Sequence, residues 1–198
     1  MSTPLIQASL DASGNIHLHS GCFTNPANLV HVGPTDPDYV IRRPVSSKFL
    51  EGWKHPHKTK PVIRHIFYVV YSGPGLVHLS KFSDYSNRVG NTQMMFHGTK
   101  RASRMFGPGI YSTRVSSKAD DYTGNSDSTL RTSTMIVNHV ALGRTKIMHA
   151  AQHDMTHAPH MYNSVTAATY PEGGKVNYHE AVVYREDAIC ANALIIYQ

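Results

Sequence analysis

Residues 94–124 read MMFHGTKRASRMFGPGIYSTRVSSKADDYTG. An apolar run delivers a His-Gly pair, and a second short run, entered through Gly-Pro-Gly, delivers Tyr111. A Ser/Lys/Asp segment then ends in Tyr122. The pattern predicts a strand over QMMFHG, a shorter strand over GIYS, and a serine-capped helix over Ser116–Tyr122. Gly98 would expose backbone N–H and C=O to a planar amide, with no Cβ in the way. His97 can donate to or accept from sugar hydroxyls. Tyr111 and Tyr122 offer flat faces to a cationic ring, through stacking and cation–π attraction. Each residue alone is compatible with an ordinary strand end or turn; their combination and order point to a pocket.

Outward from this stretch, IRHIFYVVYS (63–72) is rich in β-branched and aromatic residues and reads as a central strand. VHLSKFSDYSNRV (77–89) reads as a helix, STMIVNHVAL (133–142) as a strand, and NYHEAVVY (177–184) and ALIIYQ (193–198) as two more. Glu180 is expected inside the first of these last two runs. The lone Trp53 is expected to anchor its arm on the core. Residues 1–45, rich in proline, read as an irregular extension with at most one short strand, and 148–175 as a long His/Pro-rich connection. The class is therefore α+β with a mainly antiparallel sheet, with 46–198 as the main domain.

The 198 residues suit one domain with a real core. A net charge of +6 favours phosphate-bearing or acidic partners. Two cysteines far apart support neither a disulfide framework nor a thiolate metal site, and no signal peptide or membrane-length apolar run is read. These readings imply a soluble intracellular protein, in nucleus or cytoplasm, not secreted, monomeric and without a membrane partner. No GxGxxG or GxxxxGK motif supports Rossmann or P-loop nucleotide binding.

FHGT, FGPGIYSTRVSSKADDYT and NYHEAVVY followed by ALIIYQ resemble the catalytic domain of the poly(ADP-ribose) polymerase family, with its tankyrase-like branch and short fungal relatives the most similar. The likeness runs from about Phe49 to Gln198. It implies an ADP-ribosyltransferase-like fold, with an antiparallel two-sheet core and short flanking helices, that uses NAD as substrate and needs no metal. The resemblance implies that His97 bonds the adenosine-side ribose, with Thr99 nearby, and that Gly98 holds the nicotinamide carboxamide. It also implies that Tyr111 and Tyr122 sandwich the ring, Lys118 lies close to Glu180, and Glu180 contacts the ribose of the scissile bond. His97, Tyr111 and Glu180 form the implied catalytic set. The implied activity is NAD-dependent ADP-ribosyl transfer, a pentosyl transfer, to an acceptor protein or nucleic acid with release of nicotinamide. Bond cleavage there develops positive charge on the sugar, as in glycoside hydrolysis, and a carboxylate stabilises it.

Two departures accompany the likeness. Ala119 stands where relatives carry a serine that bonds the amide; Ser117 or Ser116 is the candidate replacement. Between His97 and Gly109 the chain is short, whereas relatives place a helix and a loop over the donor there. One edge of the pocket should be open, with Lys100, Arg101 and Arg104 within reach of a pyrophosphate. The alternatives are a catalytically weak or inactive relative serving as a binding module, and a nucleic-acid-binding protein driven by net charge. The histidines at 149, 153, 157 and 160 recur at near-helical spacing, but lack an HExxH motif and include a proline, against a metal site.

Overall fold

The computed structural model describes residues 6–10, 16–20, 27–33, 39–98, 104–123 and 132–198. Its architecture is α+β: two mostly antiparallel sheets with few helices. The longest strand, β4 (Ile63–Ser72), coincides with the apolar, β-branched run of the sequence. It pairs with the carboxy-terminal strand β11 (Ile189–Tyr197), which pairs with β7 (Ser133–Ala141), which pairs with β5 (Thr92–His97). β5 is thus the last strand of this sheet. The other end is built by β1 (Ile6–Leu10), β2 (Ile16–Ser20) and β3 (Ala27–His31), with both β1 and β3 pairing with β4.

The reading of 1–45 as irregular is therefore corrected: its described residues extend the main sheet, and α1 (Tyr39–Glu51) begins within it. Pro44 inside α1 disguised the helix, although Val45 and Phe49, one turn apart, are both fully buried. Past α1, Trp53 packs tilted on Phe49 at 5.7 Å and edge-on to Tyr197 at 5.8 Å, anchoring its arm as expected.

The second sheet runs β6 (Ile110–Ser112), β10 (Ala181–Val183), β9 (Ser164–Ala167), β8 (Thr145–Met148). β8 and β9 are parallel and lie in or beside the stretch read as a connection. Their four-residue length and non-local pairing leave little sequence periodicity to detect. The helix α2 (Pro74–Val89) buries Leu79, Phe82 and Tyr85 on one face of the first sheet, while Phe49, Phe96 and Met135 gather on the other. The two sheets touch where Phe96 at the end of β5 exchanges backbone hydrogen bonds with Thr113, just past β6. This junction carries His97, Gly98 and Tyr111 together. No helix among the described residues is long and apolar enough to cross a membrane.

Candidate active site

His97 is the last residue of β5, and its Nδ1 lies 2.6 Å from the carbonyl of Tyr111. A carbonyl only accepts, so Nδ1 donates, and in neutral imidazole Nε2 is left as an acceptor. A sugar hydroxyl is a suitable donor to it. Gly98 follows with N–H and C=O that bond to none of the described residues. A Cβ there would sit 2.5 Å from the carbonyl oxygen of Ala119 and 2.7 Å from Tyr122 Cβ, so only glycine fits. Gly98 is thereby pressed against the end of α3 (Ser116–Asp120), which hands over directly to Tyr122.

The register of β6 and β10 sets Tyr111 opposite Val182 and Ser112 opposite Ala181. Glu180, two residues before Val182, is then a diagonal neighbour of Tyr111 on the same face. Glu180 lies at the threshold of β10 and not within it, a correction to its expected place inside a strand. Its backbone is still tied into the sheet: its carbonyl accepts from Ala167 N–H at 3.1 Å and from Thr166 Oγ1 at 3.3 Å. The neighbouring carbonyl of His179 accepts from Thr113 Oγ1 at 2.8 Å. The backbone that carries the carboxylate is thus tied to β9 and to Thr113.

Lys118 on α3 points its ammonium at this carboxylate, with Nζ 3.6 Å from Glu180 Oε2 and 2.8 Å from the Tyr178 carbonyl, to which it donates. Each side chain is only 10% exposed. Burial drives the Lys118 pKa below its ordinary value and the Glu180 pKa above its own, with their mutual attraction opposing both shifts. Desolvation outweighs attraction in each case, and His97 adds a smaller downward pull on Glu180. Burial also raises both Tyr111 and Tyr122, and the Glu180 charge pushes each further up. His97, Lys118, Tyr111 and Tyr122 thus all lie within electrostatic reach of one buried carboxylate.

Support around these residues was not legible in the sequence. Tyr111 Oη accepts from Phe106 N–H at 2.8 Å and donates to the Gly107 carbonyl at 2.9 Å, pinning the Phe-Gly-Pro turn beneath its own ring. Tyr184 donates to the Phe106 carbonyl at 2.8 Å, and the turn rests on Met155, against which any Cβ at Gly107 (φ +67°) would collide. At the end of α3, Asp120 accepts from Tyr197 Oη at 2.5 Å and from Lys58 Nζ at 2.7 Å, while Asp121 accepts from Lys58 at 2.6 Å. These bonds clamp the segment that presents Tyr122.

Ser117 does not serve as expected. It is fully buried, and its Oγ accepts from Lys54 and His55 N–H at 2.9 and 3.1 Å, tying the 53–58 loop to α3. Ser116 Oγ donates to the Phe49 carbonyl at 2.6 Å. Neither hydroxyl stands in for the missing serine, and Ala119 belongs to the apolar cluster around Phe96. Thr99, Lys100 and Arg101 lie outside the described residues, whereas Arg104 is exposed and its charge exerts a small downward pull on the Tyr111 pKa. The histidines at 149–160 lie in turns, not on one helical face, and His153 Nδ1 donates to the Arg104 carbonyl at 3.0 Å. Among the described residues no three His, Cys, Asp or Glu side chains gather as a metal site would require.

Residues 99–188 match the family model of the poly(ADP-ribose) polymerase catalytic domain. The match covers somewhat less than half of the chain and supports the poly(ADP-ribose) polymerase catalytic-domain family for it. The matched span contains Tyr111, Lys118, Tyr122 and Glu180 and begins just after His97 and Gly98. It favours neither the tankyrase-like branch nor the fungal relatives. No curated protein matches the chain.

Proposed function

We propose that this chain is an NAD-dependent ADP-ribosyltransferase, on the strength of one observation: the buried Glu180 carboxylate faces the junction where His97, Gly98, Tyr111 and Tyr122 meet. NAD brings a nicotinamide–ribose bond whose cleavage leaves positive charge on the sugar. The residues present fit that substrate. Gly98 offers an N–H and a C=O that are unpaired among the described residues, the two-sided complement of a carboxamide. His97 Nε2 is an acceptor for a ribose hydroxyl, and Tyr111 and Tyr122 would wall the ring.

Glu180 would accept a hydrogen bond from the ribose and set its negative charge against the cationic sugar, an interaction that strengthens towards the transition state. Its work is to be ionised and already in place. Lys118 opposes the upward pull of burial on the carboxylate, while the bonds of residues 178–180 to Thr113, Ala167 and Lys118 fix the backbone that carries it. Preorganisation of this kind avoids reorganisation during the reaction. The acceptor nucleophile attacks the anomeric carbon, its proton passes to base or solvent, and nicotinamide leaves with the bonding electrons.

A second reading, a relative that binds NAD without turning it over, is favoured by the commitment of Ser116 and Ser117 to structural bonds and by the short 98–109 connection. Nicotinamide release from NAD, followed by chromatography with and without a competing benzamide, distinguishes the two. Benzamide-sensitive release supports the transferase. Benzamide-sensitive NAD binding without release supports the second reading.

A further inference from the structure

A groove of about 630 Å³, which Glu180 does not line, opens beside residues 177–181 and along β5. Its floor is Met94, Phe96 and Val115, and its rim carries Lys48, Lys54 and Arg114 against one carboxylate, Glu51. The three cations are exposed, and none forms a salt bridge among the described residues. Their backbones are nonetheless fixed. Lys54 donates its N–H to Ser117 and accepts from Tyr178 Oη at 3.1 Å, and Gly52 is packed hard against the Arg114 carbonyl.

The strand edge beside them is a half-made ladder. Phe96 turns its N–H and C=O outward, to Thr113, at 2.7 and 3.0 Å. Antiparallel pairing alternates, so the other residues of the same parity, Thr92 and Met94, also turn N–H and C=O away from β7, with Met94 among the residues that line the groove. No described residue pairs with them there. An open edge of this kind accepts a further strand, and native chains usually protect or use it.

We propose that this groove takes an extended acidic peptide segment of a protein partner, added as a strand to β5 at Thr92 and Met94, with carboxylates set on Lys48, Lys54 and Arg114. Charge complementarity selects the peptide, and the unpaired backbone selects its extended form. His97, Gly98, Tyr111, Tyr122 and Glu180 do not line this groove, and the proposal does not rest on the transferase reading.

Fluorescence anisotropy with a labelled peptide alternating glutamate and valine tests this. The full chain should bind it, and the double variant Lys54→Glu/Arg114→Glu, both exposed positions, should bind about tenfold or more weakly. Circular dichroism verifies that the variant is folded. Methylating alternate backbone nitrogens of the peptide, in each of the two frames, should weaken binding in at least one frame. Absence of binding, or binding indifferent to methylation in both frames, overturns the proposal. So does a single-stranded oligonucleotide that binds as tightly and is lost in the same variant, which would make the groove a phosphate track.

Discussion

Replacing Glu180 with glutamine keeps the shape of the side chain and removes its charge. Two unit charges about 4 Å apart attract by about 4 kcal/mol at an effective dielectric of about 20. Lys118, 3.6 Å away on Oε2, already draws on part of that field. The net loss of transition-state stabilisation should therefore fall near 3 kcal/mol, within the range of about 2.7–4 measured when one such contact is removed elsewhere. At 1.4 kcal/mol per decade, turnover should drop by roughly 100- to 200-fold. Ground-state binding should change little, because Gly98, His97 and the two tyrosines would still hold the nicotinamide and the adenosine-side ribose without the Glu180 charge. Lys118 keeps its bond to the Tyr178 carbonyl, so the site retains its shape. Single-turnover nicotinamide release gives the rate, and calorimetric titration with a benzamide gives the affinity. A variant within threefold of the parent in rate would refute the reasoning, as would one that lost affinity and rate in equal measure.

Activity that needs Glu180 ionised should rise with pH through a value above the ordinary carboxylate range, since burial raises this group. Lys118→Met removes the main downward influence, so the acid limb of the pH–rate profile should move further up; an unmoved limb would exclude the pair from catalysis. The same raised pKa means that Glu180 costs stability progressively as pH climbs from its unfolded value through its folded one. Glu180→Gln should therefore flatten the pH dependence of thermal unfolding across that window. Gly98→Ala forces a Cβ against Ala119 and Tyr122 and should cost about 1–3 kcal/mol, seen as a lowered Tm, together with loss of benzamide binding. Tyr122→Ala should weaken benzamide by about an order of magnitude and Tyr122→Phe little, since stacking contributes about 0.5–1.5 kcal/mol beyond burial; equal effects of both would mean that the ring is not a wall.

Local chemistry decided which parts of the molecule could be read from residues alone. β4, β5, β6 and β7 announce themselves through β-branched and aromatic runs bounded by glycine, and their observed limits lie within a residue or two of the expected ones. β8 and β9 carry no such signal, because a four-residue parallel pair is defined by its partner. At the candidate site, the residues proposed to act were visible by type at 97, 98, 111, 118, 122 and 180. What holds them was not. The Lys58–Asp120–Tyr197 clamp joins residues as much as 139 positions apart along the chain, and the Tyr111–Phe106 bond depends on how a turn folds back. Ser117 was misread for the same reason: its sequence neighbours suggest a ligand contact, while its contacts in space are Lys54 and His55.

Covalent label measures ADP-ribosyl transfer most directly. The purified chain is incubated with NAD labelled in the adenylate phosphate, in the presence of a mixed protein and nucleic-acid acceptor pool, then denatured and resolved. Label should survive denaturation, grow with time, be suppressed by benzamide and be nearly absent with Glu180→Gln. Label that never exceeds that of the Glu180→Gln variant, while NAD binding is intact, would contradict transfer.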